Sequence, residues 1–258
     1  MRDPRSLFLG VALGAVLALS PVSRAELPIG NQFAAAIESG SLERVQALVD
    51  KGNGPDTLIE YGENKITPLM KASWEGELAI VEYLLAKGAN LEYTNADGQT
   101  ALHEAIGREH ADVVAFLLAK GAKTEKADVR DFRPIHKAAA AGNVPIIELL
   151  AKAKASLSPE MYGLTPLMFA VSAKKPEAVE ALVRLGAPVN YASKTGNVGQ
   201  TALYSAIQTG DVEMVKLLLS LKANPNAKTK GGTTLLKQAQ NGDQDEIVAL
   251  LKKAGAKG

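Results

Sequence analysis

Few side chains in this chain can do chemistry, and their spacing argues against a catalytic centre. There is no cysteine, which removes thiolate nucleophiles and thiolate metal ligands together. Three histidines are present, His103, His110 and His136. His103-Glu104 opens like the helical zinc-protease pattern, which needs a second histidine four residues on so that both share a helix face. The next histidine is at 110 instead. Ser73, Ser172 and Ser205 have no nucleophile-elbow context around them. Gly231-Gly232-Thr233 is too short for a phosphate loop, and Lys228-Thr229-Lys230 reads as a polar turn. Carboxylates are numerous and are expected on solvent-facing positions. No catalytic, cofactor-binding or metal-ligating residue is therefore predicted, and the chain is read as a non-enzyme.

What organises these residues is a recurring phrase: Thr67-Pro-Leu-Met70, Thr100-Ala-Leu-His103, Arg133-Pro-Ile-His136, Thr165-Pro-Leu-Met168, Thr201-Ala-Leu-Tyr204 and Thr233-Thr-Leu-Leu236. Its steps are 33, 33, 32, 36 and 32 residues. A period of this size marks a stack of one supersecondary unit. His103 and His136 then occupy one position of the repeat, where equivalent packing predicts a structural role.

The unit from Asp97 to Ala122 shows why it folds. Asp97-Gly98 marks a tight turn, where Gly98 accepts φ > 0. Thr100 is a suitable helix N-cap, and Pro68, Pro134 and Pro166 fall in the first helical turn of sister units, where a missing N–H costs nothing. A helix of about two turns is followed by a second, with Val113, Val114, Leu117 and Leu118 on one face, ended by Gly121. Such short helices are marginal alone, so stacking must supply the core. Aromatics are only 5% of the chain, which leaves Ala, Leu and Val to fill it.

These features resemble the ankyrin-repeat family, whose unit is a β-turn plus two antiparallel helices with a T-P-L-H-x-A signature. Thr67-Pro-Leu-Met-Lys-Ala72 and Thr165-Pro-Leu-Met-Phe-Ala170 match it with Met in place of His, and Lys87-Gly88-Ala89 and Lys120-Gly121-Ala122 match its helix-ending segment. The resemblance spans about residues 31–257. The predicted fold is all-α, an ankyrin-repeat solenoid of about seven helix-turn-helix units including both caps, with β-turn fingers. Lys154 and Lys222 stand where sister units end a second helix with Gly, and Glu109 and Lys174 replace the Gly between helices. Two connections, Gly52 to Thr67 and Gly186 to Thr201, span fifteen residues against twelve from Gly88 to Thr100, so the turns around 53–66 and 190–200 are expected to be longer.

The resemblance also implies where a partner sits. In the family, ligand-facing positions lie on the concave side, in the turn before each Thr and at the end of the first helix. Those positions here include Glu63, Ile66, Trp74, Glu75, Gln99, Arg108, Arg130, Phe132, Met161, Tyr162, Leu164, Asn197 and Val198. The partner-binding set predicted from them is Trp74, Glu75, Ile66, Arg108, Arg130, Phe132, Met161, Tyr162 and Leu164. Large apolar groups at exposed sites mark an interface, and Trp, Tyr and Arg dominate hot spots; the alternative, open above all for Phe132, is that such a group folds back over the neighbouring turn.

The N-terminus reads as a separate object. Arg2 and Arg5 precede thirteen apolar or Gly residues, Leu7 to Leu19, and Ser23-Arg24-Ala25 offers the small-x-small pattern of signal peptidase. Thirteen residues fall short of the ~20 that span a bilayer. Residues 1–25 are thus expected to be a signal peptide and 26–258 the repeat domain. Losing Arg2, Arg5, Arg24 and Asp3 reduces 29 basic and 28 acidic residues to 26 and 27, a net charge of −1. That balance offers no attraction to nucleic acid or anionic membrane. The expectation is a periplasmic monomer with no cofactor, which binds another protein, an exported enzyme. In its most concrete form it is an inhibitor or immunity-type partner of a cell-wall hydrolase or toxin. A scaffold or assembly factor for such an enzyme is the alternative.

Overall fold

A computed structural model describes residues 27–62, 64–195 and 199–257. The expected signal peptide, Glu63, Asn197 and Val198 lie outside the described residues. The described residues fold as seven helix pairs: α1 Ile29–Glu38 and α2 Leu42–Asp50; α3 Pro68–Glu75 and α4 Leu78–Ala86; α5 Ala101–Gly107 and α6 Ala111–Ala119; α7 Pro134–Ala141 and α8 Val144–Lys152; α9 Pro166–Ser172 and α10 Pro176–Arg184; α11 Ala202–Gln208 and α12 Val212–Ser220; α13 Leu235–Asn241 and α14 Asp245–Lys253. First helices stack on first helices, from α1 against α3 through α11 against α13, and second helices such as α4, α6 and α8 form the other layer.

The alanine closing each phrase is what lets the first helices approach. Ala72, Ala105, Ala138, Ala170, Ala206 and Ala239 are all fully buried and form one column along the stack. Larger groups such as Leu69, Leu102, Ile135 and Leu167 fill the space between layers, giving a core packed to the density of an interior with aliphatic side chains.

Capping is local and repeats with the unit. The hydroxyls of Thr67, Thr165 and Thr201 accept from the N–H groups of Met70, Met168 and Tyr204. In the last unit the cap is Thr234, which accepts from Lys237 N–H at 3.2 Å, and not Thr233 as the phrase suggested. Counted from Thr201, that restores a 33-residue step. Where the phrase carries histidine, the ring reaches back to the N-cap residue's own N–H. His103 Nδ1 accepts from Thr100 N–H and His136 Nδ1 from Arg133 N–H, each at 3.2 Å.

The departures at helix ends are absorbed by the backbone. Lys154 (φ 65°) and Lys222 (φ 70°) adopt the same left-handed conformation as their sister glycines, as do Glu109 (φ 63°) and Lys174 (φ 54°).

Backbone N–H groups two residues beyond the left-handed residue are satisfied by the preceding unit. Asn90 N–H donates to Asp56, Lys123 N–H to Glu92, Ser156 N–H to Glu125, Asn224 N–H to Asn190 and Lys257 N–H to Asn226, at 2.7–3.1 Å. These side chains staple successive repeats together.

The first long turn is a β-hairpin, β1 Ile59–Tyr61 paired antiparallel with β2 Asn64–Ile66. Its approach crosses α1 at Gly30, where a Cβ would collide with the Leu58 carbonyl. Asn64 then docks the hairpin on the next turn, donating to Asp97 Oδ2 and accepting from Ala96 N–H, both at 2.8 Å. In the second long turn Ser193 is buried and pairs its N–H with the Gln200 carbonyl at 2.9 Å.

Candidate partner-binding face

Trp74 ends α3 and is held from two directions. Its carbonyl accepts from His110 Nε2, 36 residues downstream, at 3.0 Å. The Tyr61 ring of the hairpin tilts against it at 6.4 Å, and the Arg108 guanidinium lies 3.6 Å from its centroid. The indole is half-buried, more enclosed than the exposed helix end expected from sequence.

Two hollows adjoin this ring and share Trp74, Gln99 and Glu104 as walls. One, of about 200 Å³, is otherwise lined by Tyr61, Ile66 and Met70 with the polar or charged groups Asn64, Lys71, Asn95 and Asp97. The other, of about 330 Å³, is bounded by Gly107, Arg108, Arg130 and Lys137.

Charges line the floor. Lys71, Glu104 and Lys137 each fill the variable position before the alanine of the phrase, so the stack aligns them 33 residues apart. Lys71 is buried between Glu38 (2.8 Å) and Glu75 (2.7 Å). Burial works to lower its pKa, and the two carboxylates outweigh it, so the ammonium is held above its usual range. Glu104 is 7% exposed, and burial pushes its carboxyl up against the pull of Lys137 and Arg108. Burial lowers Lys137, opposed by Glu104 and Asp128. In the amide orientation that satisfies both neighbours, Gln99 joins the two, its nitrogen donating to Glu104 Oε1 at 3.2 Å and its oxygen accepting from Lys137 Nζ at 3.1 Å. Asp128 is buried below them. Burial raises its carboxyl, but the N–H groups of Phe132 and Arg130 outweigh that and hold it below its usual range. The expectation that carboxylates face solvent is thus corrected for Glu104 and Asp128. Each is drawn inward by donors from its own or a neighbouring unit.

The predicted partner-binding residues separate into two groups. Trp74, Arg108, Arg130 and Ile66 converge on the hollows, and Glu75 stands beside them, committed to Lys71. Phe132 folds onto the following unit, its ring 5.1 Å from Phe169 and 5.8 Å from His136. Met161 is corrected from exposed to buried, and Leu164 is half-buried against the core. The two exchange backbone hydrogen bonds at 2.9 Å, a tight bridge that turns both side chains inward and leaves Tyr162 at the tip, 73% exposed. Tyr61, Lys71, Glu104 and Lys137 were missed. The signal available was the alternating charge Lys71, Glu104, Lys137 inside an otherwise apolar phrase.

Among the described residues no group of three or more His, Cys, Asp or Glu side chains converges as a metal site. His103 and His136 brace turns: His136 Nε2 donates to the Pro159 carbonyl at 3.1 Å, tying its unit to the next. No helix among the described residues is long and apolar enough to cross a membrane.

The profile described as ankyrin repeats (3 copies) matches residues 33–128, 125–193 and 190–258. The chain belongs to the ankyrin-repeat family. This ankyrin-repeat protein is 33% identical to Rabankyrin-5 of Mus musculus over 194 residues, 74% of this chain and 14% of that protein. The ankyrin repeat domain from Acinetobacter baumannii AYE superposes with a TM-score of 0.67 at 31% identity, covering 74% of this chain and 98% of that one. The human ASB11 ankyrin repeat domain does so at 0.70 and 27%, covering 85% and 96%. The chain spans a third or less of the length of the curated relatives it matches. The shared repeats make this ankyrin-repeat protein a protein–protein interaction module.

Proposed function

We propose that this ankyrin-repeat protein is exported to a bacterial periplasm, cleaved after Ala25, and binds an exported enzyme through the concave face around Trp74. Its role there is that of an inhibitor or immunity-type partner of a cell-wall hydrolase or toxin. The observation that carries the binding reading is the half-buried Trp74, stacked by Arg108 and flanked by two hollows at the seam of three repeats. A rigid aromatic beside an arginine is the chemistry of an interface hot spot. The charged, apolar and small-residue regions of residues 1–25 support export.

The test uses the mature protein, residues 26–258, as immobilised bait in periplasmic extract of the source cell. A hydrolase or toxin retained by wild type and lost with Trp74→Ala, and inhibited in assay by the wild type, is the expected result. Equal retention by both proteins places the interface elsewhere. An enzyme retained in active form overturns inhibition in favour of an assembly role. Intact mass of the natural protein should begin at Glu26, and a retained Met1 excludes cleavage.

A further inference from the structure

The larger hollow carries two cations, Arg108 and Lys137, that make no direct ion pair among the described residues. Among the described residues the Arg108 guanidinium has no carboxylate within 4.0 Å, and it lies 3.6 Å from the centre of the Trp74 ring. Lys137 is equally without an ion pair there. Its Nζ reaches only the His103 carbonyl at 3.4 Å and the Gln99 amide oxygen. Arg130, across the hollow, is paired with Asp128 at 3.4 Å, yet its side chain stays 57% exposed. The Glu104, Asp128 and Asp97 carboxylates balance these three cations in number, but none of them pairs directly with Arg108 or Lys137. A lysine desolvated without a counter-ion is costly, and a ligand anion would relieve that cost.

The neighbouring hollow adds an apolar wall from Tyr61, Ile66, Met70 and Trp74. The two share the indole, so one ligand would place an apolar group on one side of the ring and a charged group on the other.

We propose that the Arg108–Arg130–Lys137 hollow binds the carboxylate of an acidic side chain from a partner loop, with an adjacent bulky apolar side chain seated in the neighbouring hollow against Ile66, Met70 and the Tyr61–Trp74 pair. This deepens the concave-face reading and rests on it. Arg108 supplies two parallel N–H donors at the rim, Lys137 a third at the base, and Trp74 holds the guanidinium plane in place.

Trp74 is the single tryptophan of the chain, so its fluorescence reports on the site directly. The probes are three acetylated, amidated hexapeptides carrying a leucine next to one glutamate, one glutamine or one lysine. The glutamate peptide should change Trp74 emission saturably and bind about tenfold more tightly than the glutamine peptide, with the lysine peptide weakest. Arg108→Gln, at an exposed position, should erase the preference for glutamate, and Lys137→Met should do the same from the base of the hollow. Equal binding of glutamate and glutamine peptides, preference for lysine, or no response to any peptide overturns the proposal. None of these outcomes depends on the capture experiment with Trp74→Ala, so the acidic-ligand assignment can fail while the concave-face reading stands.

Discussion

The Arg108 guanidinium and the Trp74 indole come from successive repeats, and they meet face to face at 3.6 Å across the seam between them. The contact closes one side of the indole that would otherwise open to water. Arg108→Ala should therefore shift Trp74 emission to the red, and should cost about 0.5–1 kcal/mol, the usual size of an exposed cation–π pair. Emission spectra and urea melts check both. An unchanged spectrum would mean that the two groups do not stack in solution.

Acid should destabilise the fold well before its carboxylates are titrated. His103 is fully buried, and burial first, then the charge of Lys137, depresses its pKa from 6.5 to about 4. Burial lowers His136 as well. The unfolded chain binds these protons at higher pH than the folded chain does. Stability is thus complete above about pH 6.5 and falls as pH drops toward 4, by roughly 3 kcal/mol for His103. Glu104, whose carboxyl is raised by burial, contributes the opposite slope. Comparison with His103→Gln isolates the imidazole, because glutamine can still accept from Thr100 N–H. Melts from pH 7 to pH 4 should show a shallower loss for the variant, and identical slopes refute the assignment.

Gly76 and Gly88 both have φ above 80°, but their surroundings differ. A Cβ on Gly76 would lie 2.6 Å from the His110 ring, whereas a Cβ on Gly88 would meet nothing within 4 Å. Gly88→Ala should cost ~1 kcal/mol from backbone strain alone. Gly76→Ala should cost ~1–3 kcal/mol more, because the ring that holds the Trp74 carbonyl must move. Equal losses in denaturant melts would show that His110 yields freely.

Lys154 and Lys222 hold left-handed backbone that carries a Cβ penalty. Replacing either with Gly removes that strain, offset in part by the greater freedom of glycine in the unfolded chain. Each variant should raise the urea midpoint, reflecting a gain in stability of ~1 kcal/mol at most. A lowered midpoint would show that packing of the lysine stem outweighs the strain.

Much of the architecture could be read before any coordinates. The Thr caps at 67, 165 and 201, the prolines at first helical turns and the glycines ending helices act within a few residues, so their sequence signals are self-contained. The last unit shows the limit. Thr233 and Thr234 are adjacent candidates, and only the hydrogen bond from Lys237 decides between them. Met161 and Leu164 were misplaced for a similar reason: turn position predicts exposure on average, but this turn closes on itself and carries both side chains inward.

The repeating unit, the number of units and the backbone devices at helix ends are legible in the residues alone, because those follow from short-range sterics and a fixed period. The chemistry of the concave face comes from the packing of one unit on the next. Lys71, Glu104 and Lys137 are visible in the sequence as charges at one repeat position, and of the two lysines only Lys71 has a carboxylate four residues on, at Glu75. Stacking adds Glu38 of the preceding unit to Lys71 and leaves Lys137 without an ion pair, because the rest of a charge's surroundings comes from the units before and after its own. The burial of Glu104, the Arg108 guanidinium over Trp74 and the hollow beside them all arise from contacts between residues about 33 apart, which no local pattern encodes.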